Sequence, residues 1–329
     1  MFKWGILGLG RIAHKFANEL HESGIGSVVA VGSRDLSKAN SFADEYNIPE
    51  RYGSYEDFID LAKVDAVYIA VPHHLHHQLT KQCLKHRKPV LCEKPFTINQ
   101  QQLIDLINTA REQNVFLMEA MWSRFMPHII WLKNIVVEKK YGNILHMKAE
   151  FCFKGKERGM QLGLSRLLEN ELGGGALLDI GIYPIFLSHL LLGAPETIQA
   201  QSSLVNDIDE TSMMMFSYAS GASAYLESSI LWESEGQACI YFEHASITIP
   251  RRWHESNEVI IKDSSGVTKT EQWVYPTRGF YYEMKEVQDC VLQGAKESRL
   301  MSLDFSLSMM QTLDSIRKMI GLKYPADEQ

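Results

Sequence analysis

Three side chains have the types and spacing to interconvert an alcohol and a carbonyl. Lys94 stands where the apolar run Pro89–Cys92 ends in Glu93-Lys94-Pro95. Asp179 and Tyr183 are separated by one helical turn in a stretch otherwise filled by Leu177, Leu178, Ile182, Phe186 and Leu187. Positions i and i+4 share a helix face, so two polar groups stacked on an apolar helix need partners, and a cleft supplies them. Hydride transfer at a carbinol carbon leaves an oxygen that must lose or gain a proton. That step needs a general acid/base and positive charge beside the developing alkoxide. Tyr183 can carry the proton, but a free phenol has a pKa of about 10. A nearby cation favours the phenolate, and Lys94 is the candidate. Asp179 would orient a second hydroxyl or pair with Lys94. The residues alone leave other readings open: a packed core phenol for Tyr183, a helix-capping acid for Asp179, and Lys94 itself as the proton carrier.

The elements that must position these groups begin at the first residues. Lys3–Leu7 reads as a strand, and Gly8-Leu9-Gly10-Arg11-Ile12-Ala13 leads into a helical pattern from His14 to Leu20. This is the strand–turn–helix start of a dinucleotide-binding unit. Gly8 permits the tight turn, Gly10 admits a pyrophosphate, and Ala13 lets helix and strand approach. The helix start presents free N–H groups to the phosphates. The second strand, Val28–Gly32, ends at Ser33-Arg34-Asp35. Arg34 can grip a ribose 2′-phosphate as a bidentate fork, with Ser33 and Lys38 beside it. NADP is therefore expected in preference to NAD, although Asp35 is placed to bind a ribose diol instead. The carboxyl ends of later strands add cofactor candidates: Val71, Pro72, His73 and His76 after Ala66–Val71, and Glu93 with Lys94 after Pro89–Cys92. Glu119, closing the fifth strand, is a candidate for the cofactor's carboxamide or a helix-start acid.

The totals exclude several functions. Of 329 residues, 45% are hydrophobic and 22% charged, ordinary for a globular enzyme, and the length suits two domains. A net charge of −7 without a basic run argues against nucleic acid and anionic membrane as partners. Cys83, Cys92, Cys152, Cys239 and Cys290 are scattered, which reads as reduced core thiols. The histidines of His73-His74-Leu75-His76-His77 are too close together to face one ion, so no metal site is expected. The chain enters its first strand at once and shows no apolar stretch approaching the ~20 residues of a membrane span. A cytoplasmic protein is the expectation.

Strands and helices alternate to about Trp122, which predicts an α/β fold with an N-terminal Rossmann doubly wound parallel sheet over 1–122. Helices are expected at Ser37–Tyr46 and Asn99–Gln113, a turn at Ile48–Tyr52, and a strand at Val115–Met118. From 123 to 329 the texture changes to α+β with an open, mostly antiparallel sheet, a second domain. Its expected elements are a helix at Pro127–Lys140, a strand at Asn143–Phe153, a charged irregular stretch at Lys154–Glu171 and an apolar helix at Ala176–Leu192. Strands follow at Thr197–Val205, Ser212–Tyr218, Ala222–Leu231, Ala238–Phe242, Val259–Lys262 and Thr268–Trp273. Helices Gly279–Gln293 and Leu303–Ile320 close the chain.

Taken in order, Gly8-x-Gly10-x-x-Ala13, Val90–Pro95, Met118–Phe125 and Gly174–Tyr183 resemble the glucose–fructose oxidoreductase, inositol dehydrogenase and rhizopine-catabolism (Gfo/Idh/MocA) family. The likeness is to its dimeric dihydrodiol dehydrogenase and NADP-dependent D-xylose dehydrogenase branch, and it spans nearly the whole chain. The resemblance implies NADP, a homodimer formed through the C-terminal sheet, a cis Lys94-Pro95 bond, and Trp122, Phe151 and Trp253 as an apolar substrate wall. Most of the wider family has histidine where Tyr183 stands; the branch has tyrosine. The expected activity is hydride transfer between NADP(H) and a small polyol, aldose or trans-diol. The competing readings are a non-catalytic NADP sensor, which would not need Lys94 and Tyr183 together, and a reductase of a dicarbonyl sugar.

Overall fold

The computed structural model describes residues 1–155 and 165–328. Contacts divide the chain into two units: Met1–Phe125 with Pro276–Leu307, and Met126–Tyr275 with Ser308–Gln329. The sequence reading ran the second domain unbroken from 123 to 329. In the structure Pro276–Leu307, including the helix Phe280–Leu292, belongs with the first unit. One reason is Glu19, whose carboxylate accepts from Thr277 Oγ1 and from the Gly279 N–H at the start of that helix.

The first unit is a parallel sheet of β1 (Phe2–Leu7), β2 (Gly26–Gly32), β3 (Glu50–Tyr52), β4 (Ala66–Ile69), β5 (Val90–Glu93) and β6 (Leu117–Ala120), in the order β3-β2-β1-β4-β5-β6. Strands such as Ala-Val-Tyr-Ile are apolar throughout because helices cover both faces. The order reverses between β1 and β4, which places the ligand crevice of such a sheet at their carboxyl ends. The turn expected at Ile48–Tyr52 contains an edge strand, β3, which is too short to show a periodic pattern. Glu119 therefore lies in the sixth strand. Helices α1 (Arg11–Ser23), α2 (Leu36–Tyr46), α3 (Tyr55–Leu61), α4 (His76–Lys85) and α5 (Gln100–Gln113) connect the strands. Asp35, Ser54 and Asn99 start α2, α3 and α5 by accepting from free first-turn N–H groups. In the core, Phe16 meets Trp4 edge-on and stacks on Tyr68 with ring centroids 4.0 Å apart.

The second unit is a mixed sheet of β7 (Ile144–Cys152), β8 (Thr197–Val205), β9 (Ile208–Ser217), β10 (Ser223–Ser229), β11 (Ala238–Phe242), β12 (Ala245–Ile249), β13 (Glu258–Asp263) and β14 (Thr268–Gln272). Its order is β14-β13-β12-β11-β7-β10-β9-β8, with β7–β10 parallel and the other pairs antiparallel. β12 was not expected; only Glu243 and His244 separate it from β11. Of the irregular stretch expected at Lys154–Glu171, residues 156–164 lie outside the described residues, and Ser165–Leu168 forms a 3-10 turn.

Helix α6 (Pro127–Val137) opens this unit, and α7 (Ile182–Leu192) is its buried helix. The uniform helix expected over Ala176–Leu192 is not uniform: Leu177–Gly181 is a π-helical turn. Pro184 is the reason. It has no N–H to give the carbonyl of Ile180, and its ring crowds that carbonyl, so the preceding turn widens. The segment Asn170–Leu192 is long and apolar enough to cross a membrane by length and composition, contrary to the sequence reading. Its most apolar window is 94% buried inside the protein, as in a core helix.

Candidate active site

The two glycines of the first turn are there for different reasons. Gly8 has φ +89°, and a Cβ there would lie 2.6 Å from the carbonyl oxygen of Ala70, so the fold itself excludes a side chain. Gly10 has an ordinary φ of −88°, and a Cβ there would meet nothing within 4 Å. The fold does not require glycine at that position. The open space lies at the first N–H groups of α1, which have no intrahelical acceptor. Leu9 and Ala13 are buried behind the turn, while Arg11 is exposed and Ile12 half-buried.

At the end of β2, Ser33 is buried and its Oγ accepts from the Asp35 N–H. Asp35 Oδ1 accepts from Ser37 N at 2.9 Å and Lys38 N at 3.3 Å. The acid that competed with Arg34 for the cofactor is thus engaged as the cap of α2. Arg34 and Lys38 are exposed, and the Arg34 guanidinium acts on the Tyr55 hydroxyl electrostatically. Burial raises the Tyr55 pKa, and the charge of Arg34 opposes that rise. Burial and Arg34 together lower the pKa of His74.

Three buried polar side chains converge on the backbone around Lys94. His76 is fully buried, with Nδ1 2.8 Å from Pro95 O and Nε2 3.0 Å from Val71 O. It ties the loop after β4 to the Lys94 turn. Glu93 accepts from the Tyr68 hydroxyl and from the Lys94 N–H. Glu119 accepts from Phe96 N at 3.0 Å and Ser306 Oγ at 2.7 Å. Burial pushes its pKa up to about 7, against those hydrogen bonds and the charge of Lys94. The Lys94-Pro95 bond is cis. His76, Glu93 and Glu119, expected to contact cofactor, thus direct these hydrogen bonds to the turn that carries Lys94. Val71 and His73 are buried and Pro72 half-buried where β4 ends. Trp122 stacks on Phe280 with centroids 5.4 Å apart.

In the second unit, Tyr183 and Asp179 lie on α7 and on the π turn before it, 6% and 7% exposed. Arg166 Nη2 donates to Asp179 Oδ1 at 3.1 Å, a partner no local pattern marks because thirteen positions separate them. The Tyr183 ring packs against Phe151 at 5.4 Å and His254 at 5.2 Å, and Phe151 and His254 stack at 4.4 Å. Trp253, expected in the substrate wall, is fully buried, with its indole N–H donating to Glu150 O. Its neighbour His254, on the same 3-10 turn Trp253–Glu255, packs against Tyr183. Asp209, also unnoticed in the sequence, is fully buried at the start of β9 and accepts from Leu177 N and Ser212 Oγ.

Each unit therefore presents a fixed polar group: a clamped lysine turn in the first, and a carboxylate and phenol in an aromatic setting in the second. Residues 2–121 match the oxidoreductase family with an NAD-binding Rossmann fold, and residues 129–248 match the Gfo/Idh/MocA C-terminal domain. A trans-1,2-dihydrobenzene-1,2-diol dehydrogenase of Xenopus tropicalis is 36% identical over 335 residues, covering 98% of this chain and 99% of the relative. Among solved structures, the aldose-aldose oxidoreductase of Caulobacter crescentus superposes with TM-score 0.85 at 24% identity, covering 97% of each chain. A 3-ketoreductase from Actinomadura kijaniata, in complex with NADP and TDP-benzene, gives TM-score 0.83 at 25% identity, covering 97% of this chain and 98% of that one. On the strength of both domain matches and a relative aligned along its whole length, the chain belongs to the Gfo/Idh/MocA family of NAD(P)-dependent oxidoreductases.

Proposed function

We propose that this protein is an NADP-dependent dehydrogenase or reductase acting on a CH–OH group of a small polyol, aldose or trans-diol. The observation that carries the reading is the convergence of His76, Glu93 and Glu119 on the backbone of residues 94–96. Buried polar groups are costly unless they are satisfied, and a turn held by three of them presents its lysine in a set place.

The nicotinamide, when bound, accepts or supplies the hydride. The chain does the rest. The Gly8–Ala13 turn and the start of α1 hold the pyrophosphate. Arg34, Ser33 and Lys38 receive the 2′-phosphate, a role supported by the engagement of Asp35 in capping. Tyr183 takes the proton from the substrate hydroxyl, or returns it, and Lys94 favours the phenolate by its charge. Asp179, oriented by Arg166, accepts from a neighbouring substrate hydroxyl. Phe151 and His254 wall the phenol. The aldose and diol classes are those named for the relatives above.

The same reading includes a homodimer. Register places Met213, Met215, Tyr225 and Tyr241 on one sheet face, where Met215 is 53% and Tyr241 40% exposed. The same register puts His146, Lys148, Glu150 and Glu227 on that face, and exposed methionine and tyrosine among charged groups suit a second copy. Sedimentation of the wild type and of Met215→Asp tests it; a monomer in both removes the dimer.

The deciding experiment is an NADP(H)-coupled screen over aldoses, inositols and trans-dihydrodiols. Turnover with NADP+ on at least one class is expected. Tight NADPH binding with no turnover on any of them would replace this reading with a non-catalytic sensor.

A further inference from the structure

The π turn Leu177–Gly181 carries Asp179, and α7 carries Tyr183, so the start of this segment sets where both groups point. Helix starts leave N–H groups without intrahelical acceptors, and a Ser, Thr, Asp or Asn at the cap usually accepts from them. Here the cap position is Ala176, which makes no side-chain cap hydrogen bond. The acceptor comes from another element. Asp209, on β9, is 0% exposed, and its Oδ2 accepts from Leu177 N at 2.7 Å and from Ser212 Oγ at 2.8 Å.

The fit around this carboxylate is tight. Oδ1 has no hydrogen-bond partner among the described residues. A Cβ on Gly175 would stand 2.2 Å from Oδ1, and Gly175 has φ +107°, a conformation that L residues rarely adopt. A Cβ on Gly174 would lie 2.7–2.8 Å from the carbonyl oxygens of Arg166, Leu167 and Glu169. The Tyr324 hydroxyl donates to Gly174 O at 2.6 Å. The residues leading into the turn are therefore held from β9, from the Arg166 segment and from the C-terminal residues. Burying a carboxyl with no cation hydrogen-bonded to it is unfavourable, and burial raises its pKa to about 7. Packing alone gives no reason to keep an acid there.

We propose that Asp209 is a positioning residue for the reaction: from β9 it caps the π turn and so sets the placement of Asp179 and Tyr183. The proposal rests on the assignment of Asp179 and Tyr183 to the chemistry. A displacement of ~1 Å at a reacting group is enough to lower the rate ~100-fold. The group that transmits it need touch neither substrate nor cofactor.

The test compares Asp209→Ala, Asp209→Asn and Gly175→Ala in the full chain, with NADP+ and either D-xylose or trans-1,2-dihydrobenzene-1,2-diol as probe. Asp209→Ala is expected to lower kcat roughly 10- to 100-fold, while NADPH affinity measured by fluorescence stays within about 2-fold. Asp209→Asn keeps an oxygen for the Leu177 N–H and is expected to restore most of the lost kcat. Gly175→Ala pushes the carboxylate aside without removing it and is expected to repeat the kcat defect. A folded Asp209→Ala with wild-type kcat would overturn the proposal. If Asp209→Ala does not fold, a folded Gly175→Ala with wild-type kcat overturns it equally. NADPH affinity falling in step with kcat would mark a general structural role and overturn it too. Tyr183→Phe, run in parallel, separates the two layers: full turnover in that variant removes the acid/base assignment, whereas its loss beside an unaffected Asp209→Ala removes only the positioning role.

Discussion

His76 joins two strand ends that are far apart in sequence: its Nδ1 lies 2.8 Å from the carbonyl oxygen of Pro95, and its Nε2 lies 3.0 Å from that of Val71. Both partners are acceptors. A neutral imidazole can donate to one of them and an imidazolium to both. His76→Ala leaves both carbonyls without this partner and frees the turn of Lys94. A loss of about 1–3 kcal/mol in stability is expected for the unsatisfied groups, with kcat falling ~10-fold or more through misplacement of Lys94. Denaturation and steady-state kinetics on the same preparation check both. Unchanged kcat in a destabilised variant would show that the tie serves only folding.

The two glycines of the first turn should separate folding from binding. Gly8→Ala puts a Cβ 2.6 Å from Ala70 O at a positive φ, and a clear drop in Tm is expected. Gly10→Ala meets open space, so its Tm should stay near the wild type while NADP(H) affinity falls. Calorimetry and fluorescence titration read the pair. Intact cofactor affinity in Gly10→Ala would remove the pyrophosphate from that space.

Cofactor choice is expected to sit with Arg34 and not with Asp35. Arg34→Ala removes a charge-assisted contact, worth about 1.5–3 kcal/mol, and should weaken NADP binding ~10- to 100-fold while leaving NAD unaffected. Asp35→Ala removes the cap of α2 and should cost about 1 kcal/mol of stability without altering the NADP/NAD ratio. Affinities of both cofactors for both variants decide the matter. An unchanged ratio in Arg34→Ala would end the argument for NADP.

Glu283 is fully buried, with neither carboxyl oxygen hydrogen-bonded among the described residues. Burial, then the charges of Glu93 and Glu19, push its pKa well above the carboxylate range, and Tyr68 lies in the same cluster. A raised pKa means that the folded state holds the proton more tightly than the unfolded chain. Its contribution is complete below the unfolded value of about 4.3 and is lost as pH rises towards the folded pKa. Glu283→Gln has no charge to bury. Its stability relative to the wild type should therefore grow with pH above about 4.3, by up to about 1.4 kcal/mol per pH unit. Urea denaturation from pH 4 to 8 reads the difference, and parallel curves for the two proteins would rule out a retained proton.

Local pattern carried the reading of the fold a long way. The run Ala66–Val71 holds a strand, β4, because continuous hydrophobicity suits a sheet buried on both faces. Asp35, Ser54 and Asn99 announce helix starts because capping is a short-range interaction. Glycine spacing marks the dinucleotide turn for the same reason. β3 has three residues, too few to show a period, and β12 follows β11 after only Glu243 and His244, without a turn signal to mark it.

The amino-acid sequence by itself determined the chemical inventory: a glycine turn before a helix, an arginine at the second strand end, a lysine before a proline, and a carboxylate and phenol one helical turn apart. These are properties of neighbours along the chain. Tertiary structure decided what each of them does. It turned His76 and Glu119 onto the backbone around Lys94, gave Glu93 the Tyr68 hydroxyl, and packed His254 against Tyr183. It also brought Asp209 to Leu177 across thirty-two positions. The physical reason is that a buried polar group must find its hydrogen-bond partner in three dimensions. Residues far apart in the chain supply these partners once the sheets have formed, and no spacing rule records them.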